Sequence, residues 1–342
     1  MADLRRVTKP APTDQRVSGR APAAGLPDLQ ALTDGLARAL GDGDAGCPVS
    51  VLNREPVLYP GWTPVEVVTC RFADRSVRRL LCKYGSPVRA AAYGHRGGVP
   101  YEAAVYQQVL GALKLSSAAF YGTYEDAATG ATWLFLEYLH GSFRLRDVEG
   151  AAPLGLAAAW IGRFHAAAQQ HLAPDGWRTL LRNYDEGYYR GWLARTAAFA
   201  EPLQGRFPWL PRFQQRYERF MAPLLDAPET AIHGEYYLKN VLVRDGRVYP
   251  IDWESAAIGA GEIDLASITE HWPPDIVRQC QLEYGRARWP DGPPAEFECT
   301  LAAARLYLHF RWLGDRAELT NRPKNYWRFE EMQHLAERLG LI

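Results

Sequence analysis

Between residues 231 and 254 the chain reads AIHGEYYLKNVLVRDGRVYPIDWE, in which His233, Glu235, Asn240, Asp252 and Glu254 interrupt strongly apolar runs. Arg244-Asp245-Gly246-Arg247 carries the Asp-Gly signal of a two-residue hairpin turn. Folding about that turn sets Asn240 opposite Ile251, one residue from Asp252, so an amide oxygen and a carboxylate meet at the open end of the hairpin. Glu235 lies on the loop that feeds the first strand. Hard oxygen ligands grouped in this way suit Mg²⁺, which takes one or two protein oxygens and completes its shell with phosphate and water.

Other chemistries find less support. The H-x-E of His233 and Glu235 also occurs in zinc deaminases, but those need a later P-C-x-x-C. Cysteines stand at positions 47, 70, 82, 280 and 299, with no C-x-x-C pair. That pattern gives neither a zinc knuckle nor a disulfide framework and suits a reducing cytoplasm. The G-x-S-x-G elbow of a serine hydrolase is absent.

The elements that must carry these residues follow from periodicity. Val65 to Phe72 reads as a strand, Ala73 to Ser76 as a turn, and Arg79 to Tyr84, which includes Lys83, as the returning strand. A glycine-rich loop, Tyr93 to Pro100, leads into a helix through YEAAVYQQVLGAL with Val105, Leu110 and Leu113 at helical spacing. Thr132 to Leu139 is a further strand. Beyond it the chain is mainly helical: Leu156, Trp160, Phe164 and Ala168 give one apolar face, and aromatic-rich helices follow through NYDEGYYRGWLARTAAF and WLPRFQQRYERFMAPLL. The expected architecture is therefore α+β in two lobes, a small sheet-rich one before a larger helical one. We place a flexible leader and first helix at 1–45, a nucleotide-binding lobe at 46–139 and a catalytic, substrate-binding lobe at 140–342.

The bulk properties agree with this plan. The 342 residues carry no net charge, so no global field draws the chain to nucleic acid or to an anionic membrane. No apolar run approaches the roughly 18 residues of a membrane span. Oligomeric state is not legible.

HGE-x4-N, a short hairpin and IDWE together resemble the catalytic core of the aminoglycoside phosphotransferase and choline kinase-like family, relatives of the protein kinases, whose usual form is H-G-D-x4-N followed by D-[WF]-[ED]. Lys83 on its strand resembles the family's phosphate-contacting lysine, and Glu102 in the next helix its ion-pair partner. Leu134 to Leu139 is similar to the hinge that holds adenine, which implicates Glu137 and Leu139. IGRFHA and GEIDLA resemble two further family segments. The resemblance spans most of residues 50 to 270 in the family's order. It implies a two-lobed protein kinase-like fold and ATP- and Mg²⁺-dependent transfer of the γ-phosphate to a hydroxyl of a small molecule. It also implies roles: Asn240 and Asp252 as metal ligands, Lys83 on the phosphates, and Glu235 as the base that orients the acceptor hydroxyl. His233 would shape the loop, and Asp264 would pin it through backbone hydrogen bonds.

Three departures stand out. Glutamate at 235 replaces the usual aspartate, which moves the carboxylate one methylene outward. Either the loop is set back to compensate, or the position no longer acts as a base and the chain is a catalytically silent nucleotide-binding module. No G-x-G-x-x-G occurs; the corresponding segment runs from Arg54 to Thr63. Lys239 beside the metal asparagine could reach a phosphate, reach an anionic acceptor, or remain solvated.

Further residues have plainer readings. His165 is expected to be a packed helix histidine, Tyr184, Tyr188, Tyr189 and Trp192 a core stripe, and Glu262 a solvent-facing acid. Glu254 could be a second-site ligand, a substrate contact or a surface acid. Arg305, Arg311, Arg316, Arg322, Lys324 and Arg328 near the C-terminus point to a neutral or anionic acceptor rather than a polycationic one.

Overall fold

A computed structural model describes residues 25–41, 47–57, 63–85, 95–148, 150–172 and 176–342. The expected leader before residue 25, the middle of the nucleotide-covering segment at 58–62, and Tyr93-Gly94 of the glycine-rich loop lie outside the described residues.

Five antiparallel strands form the N-terminal sheet: β1 (Val49–Pro56), β2 (Val65–Phe72), β3 (Val77–Tyr84), β4 (Phe120–Asp126) and β5 (Ala131–Glu137), in the order β1-β2-β3-β5-β4. Side chains alternate between the faces of a strand. In β3 this sends Leu80, Cys82 and Tyr84 to one face and Lys83 to the other. The first face is covered by α1 (Leu29–Leu40), whose Leu32 and Leu36 are fully buried against Val68, Leu80, Cys82 and Phe135. Asp28 caps α1 by accepting the Ala31 N–H. Close approach of α1 needs a glycine at 122, where a Cβ would stand 2.3 Å from the Ala39 carbonyl oxygen.

The opposite face receives α2 (Gly98–Ala104). The helix expected through Leu113 does not continue as an α-helix: Val105–Leu110 is a π-helical segment, closed by Gly111 N–H to the Tyr106 carbonyl. The wider turn lets Val105, Tyr106, Val109 and Leu110 all be buried. Strand β5 ends at Glu137, two residues short of the expected Leu139.

The helical part begins after β6 (Phe143–Arg144) with α3 (Ala152–Gln169), and continues through β7 (Arg182–Asn183), α4 (Glu186–Ala200), α5 (Leu210–Gln215) and α6 (Tyr217–Leu225). Then come β8 (Glu229–Ile232), β9 (Val241–Arg244), β10 (Arg247–Pro250), β11 (Ala257–Ala260) and α7 (Glu262–Ile268). The chain closes with α8 (Pro274–Arg288), α9 (Phe297–Leu313), α10 (Ala317–Thr320) and α11 (Trp327–Arg338).

The β9–β10 hairpin folds in the expected register, Val241 opposite Pro250, with Asp245 and Gly246 both at positive φ as a two-residue turn requires. Proline is tolerated in β10 because that strand lies at the sheet's edge, in the order β10-β9-β6.

Two sequence expectations fail here for one reason. Helices α3 and α7 lie inside the helical core, so an amphipathic reading misplaces residues on them. Leu156, expected on the buried face of α3, is 44% exposed, whereas Trp160, Phe164 and Ala168 are buried as expected, together with Leu154, Ala158 and Ile161. Glu262, expected to face solvent, is buried on α7 and ion-paired with buried Arg288 at 3.2 Å. A carboxylate so placed needs a partner within the core, because isolated buried charge is prohibitively costly.

Candidate phosphotransfer site

The catalytic-loop segment is built around the Asp264 carboxylate. Asp264 Oδ2 accepts the His233 backbone N–H at 2.6 Å and Oδ1 accepts that of Gly234 at 2.9 Å. Gly234 has φ +77°, and a Cβ there would meet the Ser255 carbonyl oxygen at 2.2 Å, so only glycine fits the bend. Behind Asp264 stands a relay of side chains. Arg288 donates to Tyr284 Oη, Tyr284 lies 3.0 Å from His165 Nδ1, and His165 Nε2 lies 3.2 Å from Asp264 Oδ2. Burial pulls the His165 pKa down, so the ring is neutral and can donate from Nε2 while accepting at Nδ1. The expectation of a packed histidine holds, and its packing serves the loop. His233 Nε2 reaches the Ile251 carbonyl oxygen at 3.0 Å, tying the loop to the end of β10.

The hairpin brings Asn240 and Asp252 to the same end, with Ile251 N–H donating to the Asn240 carbonyl at 2.9 Å. The Asn240 side-chain amide donates to the Glu235 carbonyl at 3.0 Å, which leaves its oxygen as the group that can accept or ligate. Asp252 holds φ 69°, an uncommon conformation for a residue other than glycine and one met at functional turns.

Lys83 and Glu102 join Asp252 from the sheet side. Lys83 Nζ lies 2.6 Å from Glu102 Oε2 and 2.9 Å from Asp252 Oδ1, and Glu102 Oε1 also accepts the Trp253 N–H at 3.3 Å. Burial opposes the lysine's charge, but Asp252 and Glu102 outweigh it and hold the Lys83 pKa well above its usual value. Lys83 in turn keeps the Asp252 carboxyl below the ordinary range, and burial raises that of Glu102. Two carboxylates, 19 and 169 positions from Lys83, thus converge on its ammonium group.

Of the other expected nucleotide contacts, the Glu137 side chain is taken by Arg244 at 2.9 Å and by the Ala119 N–H at 3.2 Å. Leu139 is buried just beyond the end of β5. Lys239 is exposed, with its ammonium 5.8 Å from the Tyr237 ring.

Glu235 is where the structure adds most. Its side chain is buried, with Oε1 at 2.7 Å from Arg96 Nη2, 3.4 Å from Arg311 Nη1 and 3.4 Å from His95 Nε2. Burial alone would raise its pKa; His95, Arg311 and Arg96 reverse that and hold the carboxyl well below the usual range. Burial and the Arg311 charge lower the His95 pKa to about 4, so its ring is neutral at physiological pH. Arg311 also donates to Tyr237 Oη. Aromatic residues just before and on α4 line this side. Tyr184 and Tyr188 stack at 3.8 Å, Tyr188 Oη lies 3.1 Å from His95 Nδ1, and Tyr188 and Tyr307 hydroxyls are 2.8 Å apart. Arg96 also reaches Glu254 at 3.2 Å, and burial, with Asp252 nearby, pushes the Glu254 carboxyl up to about 7.

Arg96 and His95 carry no role on sequence grounds, and Arg311 counts there only among the basic C-terminal residues that bear on the acceptor. One signal did exist: Arg311 lies inside LYLHFRWL, a charged residue among large apolar ones on a helix, and such a residue must find a buried partner.

Among the described residues no three His, Cys, Asp or Glu side chains gather as a metal cluster. The donor set that is present, one carboxylate and one amide oxygen at the hairpin's end, fits a hard cation that takes most of its ligands from phosphate and water.

Comparison with known proteins gives the family and the fold. Residues 71–297 match the phosphotransferase enzyme family (APH), and the chain belongs to it. The N-acetylmuramate/N-acetylglucosamine kinase of Neisseria meningitidis serogroup B is 24% identical over 111 residues, 31% of this chain and 32% of that protein. The matched part thus spans about a third of the length of that curated relative. A putative aminoglycoside phosphotransferase from Ralstonia eutropha superposes with a TM-score of 0.57 at 17% identity, covering 92% of this chain and 97% of the other. The choline kinase LicA of Streptococcus pneumoniae, also solved with AMP, superposes with a TM-score of 0.56 at 14% identity, covering 86% and 95%. The fold is the two-lobed, α+β protein kinase-like fold.

Proposed function

We propose that the protein is a small-molecule kinase that transfers the γ-phosphoryl group of ATP to a hydroxyl. The observation that carries this reading is the convergence of Glu102 and Asp252 on Lys83, across from Asn240. Residues 46–139 then form the nucleotide lobe and 140–342 the catalytic and acceptor lobe, and the backbone between Glu137 and Leu139 borders the adenine.

In this reading Asp252 and the Asn240 amide oxygen hold Mg²⁺, which would neutralise charge on the phosphates. Lys83, fixed by Glu102, grips the α- and β-phosphates. Glu235 orients the acceptor hydroxyl and takes its proton as the new oxygen–phosphorus bond forms and the bond to the β-phosphate oxygen breaks. Because phosphoryl transfer has a loose transition state, orientation matters more here than basicity. A carboxyl with a depressed pKa can still serve. Arg311 beside Glu235 favours a neutral or anionic acceptor over a polycation. The cytoplasm supplies ATP and suits the unpaired cysteines.

A second reading, a nucleotide-binding protein without transfer activity, is favoured by one observation: the Glu235 carboxylate is buried between two guanidinium groups. A metabolite panel incubated with Mg·ATP and read for a mass gain of one phosphate decides between them. A product supports the kinase. Binding of Mg·ATP without any product supports the second reading.

A further inference from the structure

The far side of α9 holds a cavity of about 600 Å³ that the proposed reaction does not use. Tyr307 and Arg311 face the phosphotransfer site from α9, whereas Arg305, Leu308 and His309 line this cavity, a different side of the same helix. Its volume lies within the range of roughly 300–1,000 Å³ typical of small-ligand sites.

Its charges do not balance. Arg278, Arg305 and Arg338 line the cavity, against Glu270 and Glu331. Glu270 is already paired with Arg328 at 2.8 Å, and Arg328 is itself fixed between the Trp312 and Trp327 rings, 4.3 and 4.4 Å from their centroids. Among the lining residues that leaves three guanidinium groups, of which Arg278 and Arg338 are exposed, against the exposed Glu331 carboxylate; Glu298, outside the lining, also acts on Arg305. Arg305 is the most confined of the three, half-buried, and among the described residues it makes no hydrogen bond or ion pair. Burial draws its pKa below the ordinary arginine value, Glu298 opposes this only in part, and Arg338 adds repulsion. Such a group is costly to keep without a counter-charge. Trp272 and Trp327 line the same space, Trp327 with Arg328 over one face of its ring.

We propose that this cavity is a second ligand site, built for a small organic anion in which a carboxylate or phosphate monoester is borne on a flat ring. The anionic group sits between Arg305 and Arg338, and the ring lies against Trp272 and Trp327. Guanidinium groups suit both anions through paired N–H donors, and tryptophan faces suit the ring. The inference stands independently of the acceptor and of turnover.

Phenyl phosphate titrated into the full chain by calorimetry tests it, with benzoate as a second probe and with Arg305→Gln as the variant. The expected result is saturable one-site binding that saturating ADP does not displace. Arg305→Gln should weaken it at least tenfold, the scale of one charge-assisted hydrogen bond. Because Arg305 makes no hydrogen bond or ion pair among the described residues, and Arg338 repels it, the same substitution should leave the ligand-free Tm unchanged or raise it. Displacement by ADP, affinity unaltered in Arg305→Gln, a lowered ligand-free Tm in that variant, or no saturable binding of either probe would each overturn the proposal.

Discussion

Arg96 Nη2 and Glu235 Oε1 stand 2.7 Å apart, joining the loop before α2 to the loop before β9 across 139 residues of chain. Arg311 approaches the same oxygen from α9. The extra methylene of glutamate gives the carboxylate the reach to be shared by arginines from both parts of the molecule.

The two arginines are not equivalent. Arg311 is buried, so Arg311→Ala removes a partner from inside the core, and breaking a buried pair typically costs about 3–5 kcal/mol. The Arg96 side chain is 30% exposed, and water can replace much of what it supplies, so Arg96→Ala should cost about 1 kcal/mol or less. Urea unfolding of both variants measures the difference. Equal losses would show that burial does not set the strength of this cluster.

Asp252→Ala should abolish transfer while leaving the fold intact, since the cation would lose its only carboxylate ligand, and Asn240→Ala should be nearly as damaging. Lys83→Ala should raise the KM for ATP, and Glu102→Ala should do so less severely by loosening the lysine. Steady-state kinetics and far-UV circular dichroism check both halves of this expectation. Wild-type kinetics in Lys83→Ala would remove the residue from the nucleotide site.

Glu235→Gln keeps the shape of the side chain but removes the proton acceptor and weakens both ion pairs. Loss of a general base slows a reaction by about 10² to 10⁴-fold. Nucleotide affinity should barely change, because Glu235 does not contact the Lys83 cluster. Glu235→Asp should also lose rate, since the shorter side chain draws the carboxylate away from Arg96 and Arg311. A variant Glu235→Gln that turns over like wild type on a verified acceptor refutes the base assignment.

Glu254 links stability to pH. Its folded pKa of about 7 is above its ordinary value of 4.5, so the folded state holds a proton that the unfolded state releases. The resulting stabilisation is fully present below the ordinary pKa and is lost as pH rises through 7. Glu254→Gln cannot ionise, so its Tm relative to wild type should climb between about pH 5 and pH 8. Thermal melts across that range measure it; a constant difference would place Glu254 at an ordinary pKa.

How much of this was legible depended on sequence distance. The Asp-Gly turn fixed the hairpin and brought Asn240 to Asp252, because a two-residue loop allows one register. Alternation along β3 likewise put Lys83 on the face opposite the α1-covered core. The Glu235 cluster carries no such local rule: its arginines come from a loop and a helix 139 and 76 residues away. Periodicity also failed at Leu156, and the plain reading of Glu262 as a surface acid failed with it, since helices surrounded by other helices lose their polar stripe. The π-helical segment after α2 left no composition signal, because the same apolar residues serve either winding.

The packing of α1 on the sheet bears on where the chain can be cut. A shortened version starting at Val49 would lay bare Val68, Leu80, Cys82 and Phe135, a continuous oily surface across three strands, together with two thiols, Cys70 and Cys82. Such a surface invites self-association and oxidation during purification. Trimming for crystallisation or expression should therefore stop ahead of Leu26, which packs against that same cluster.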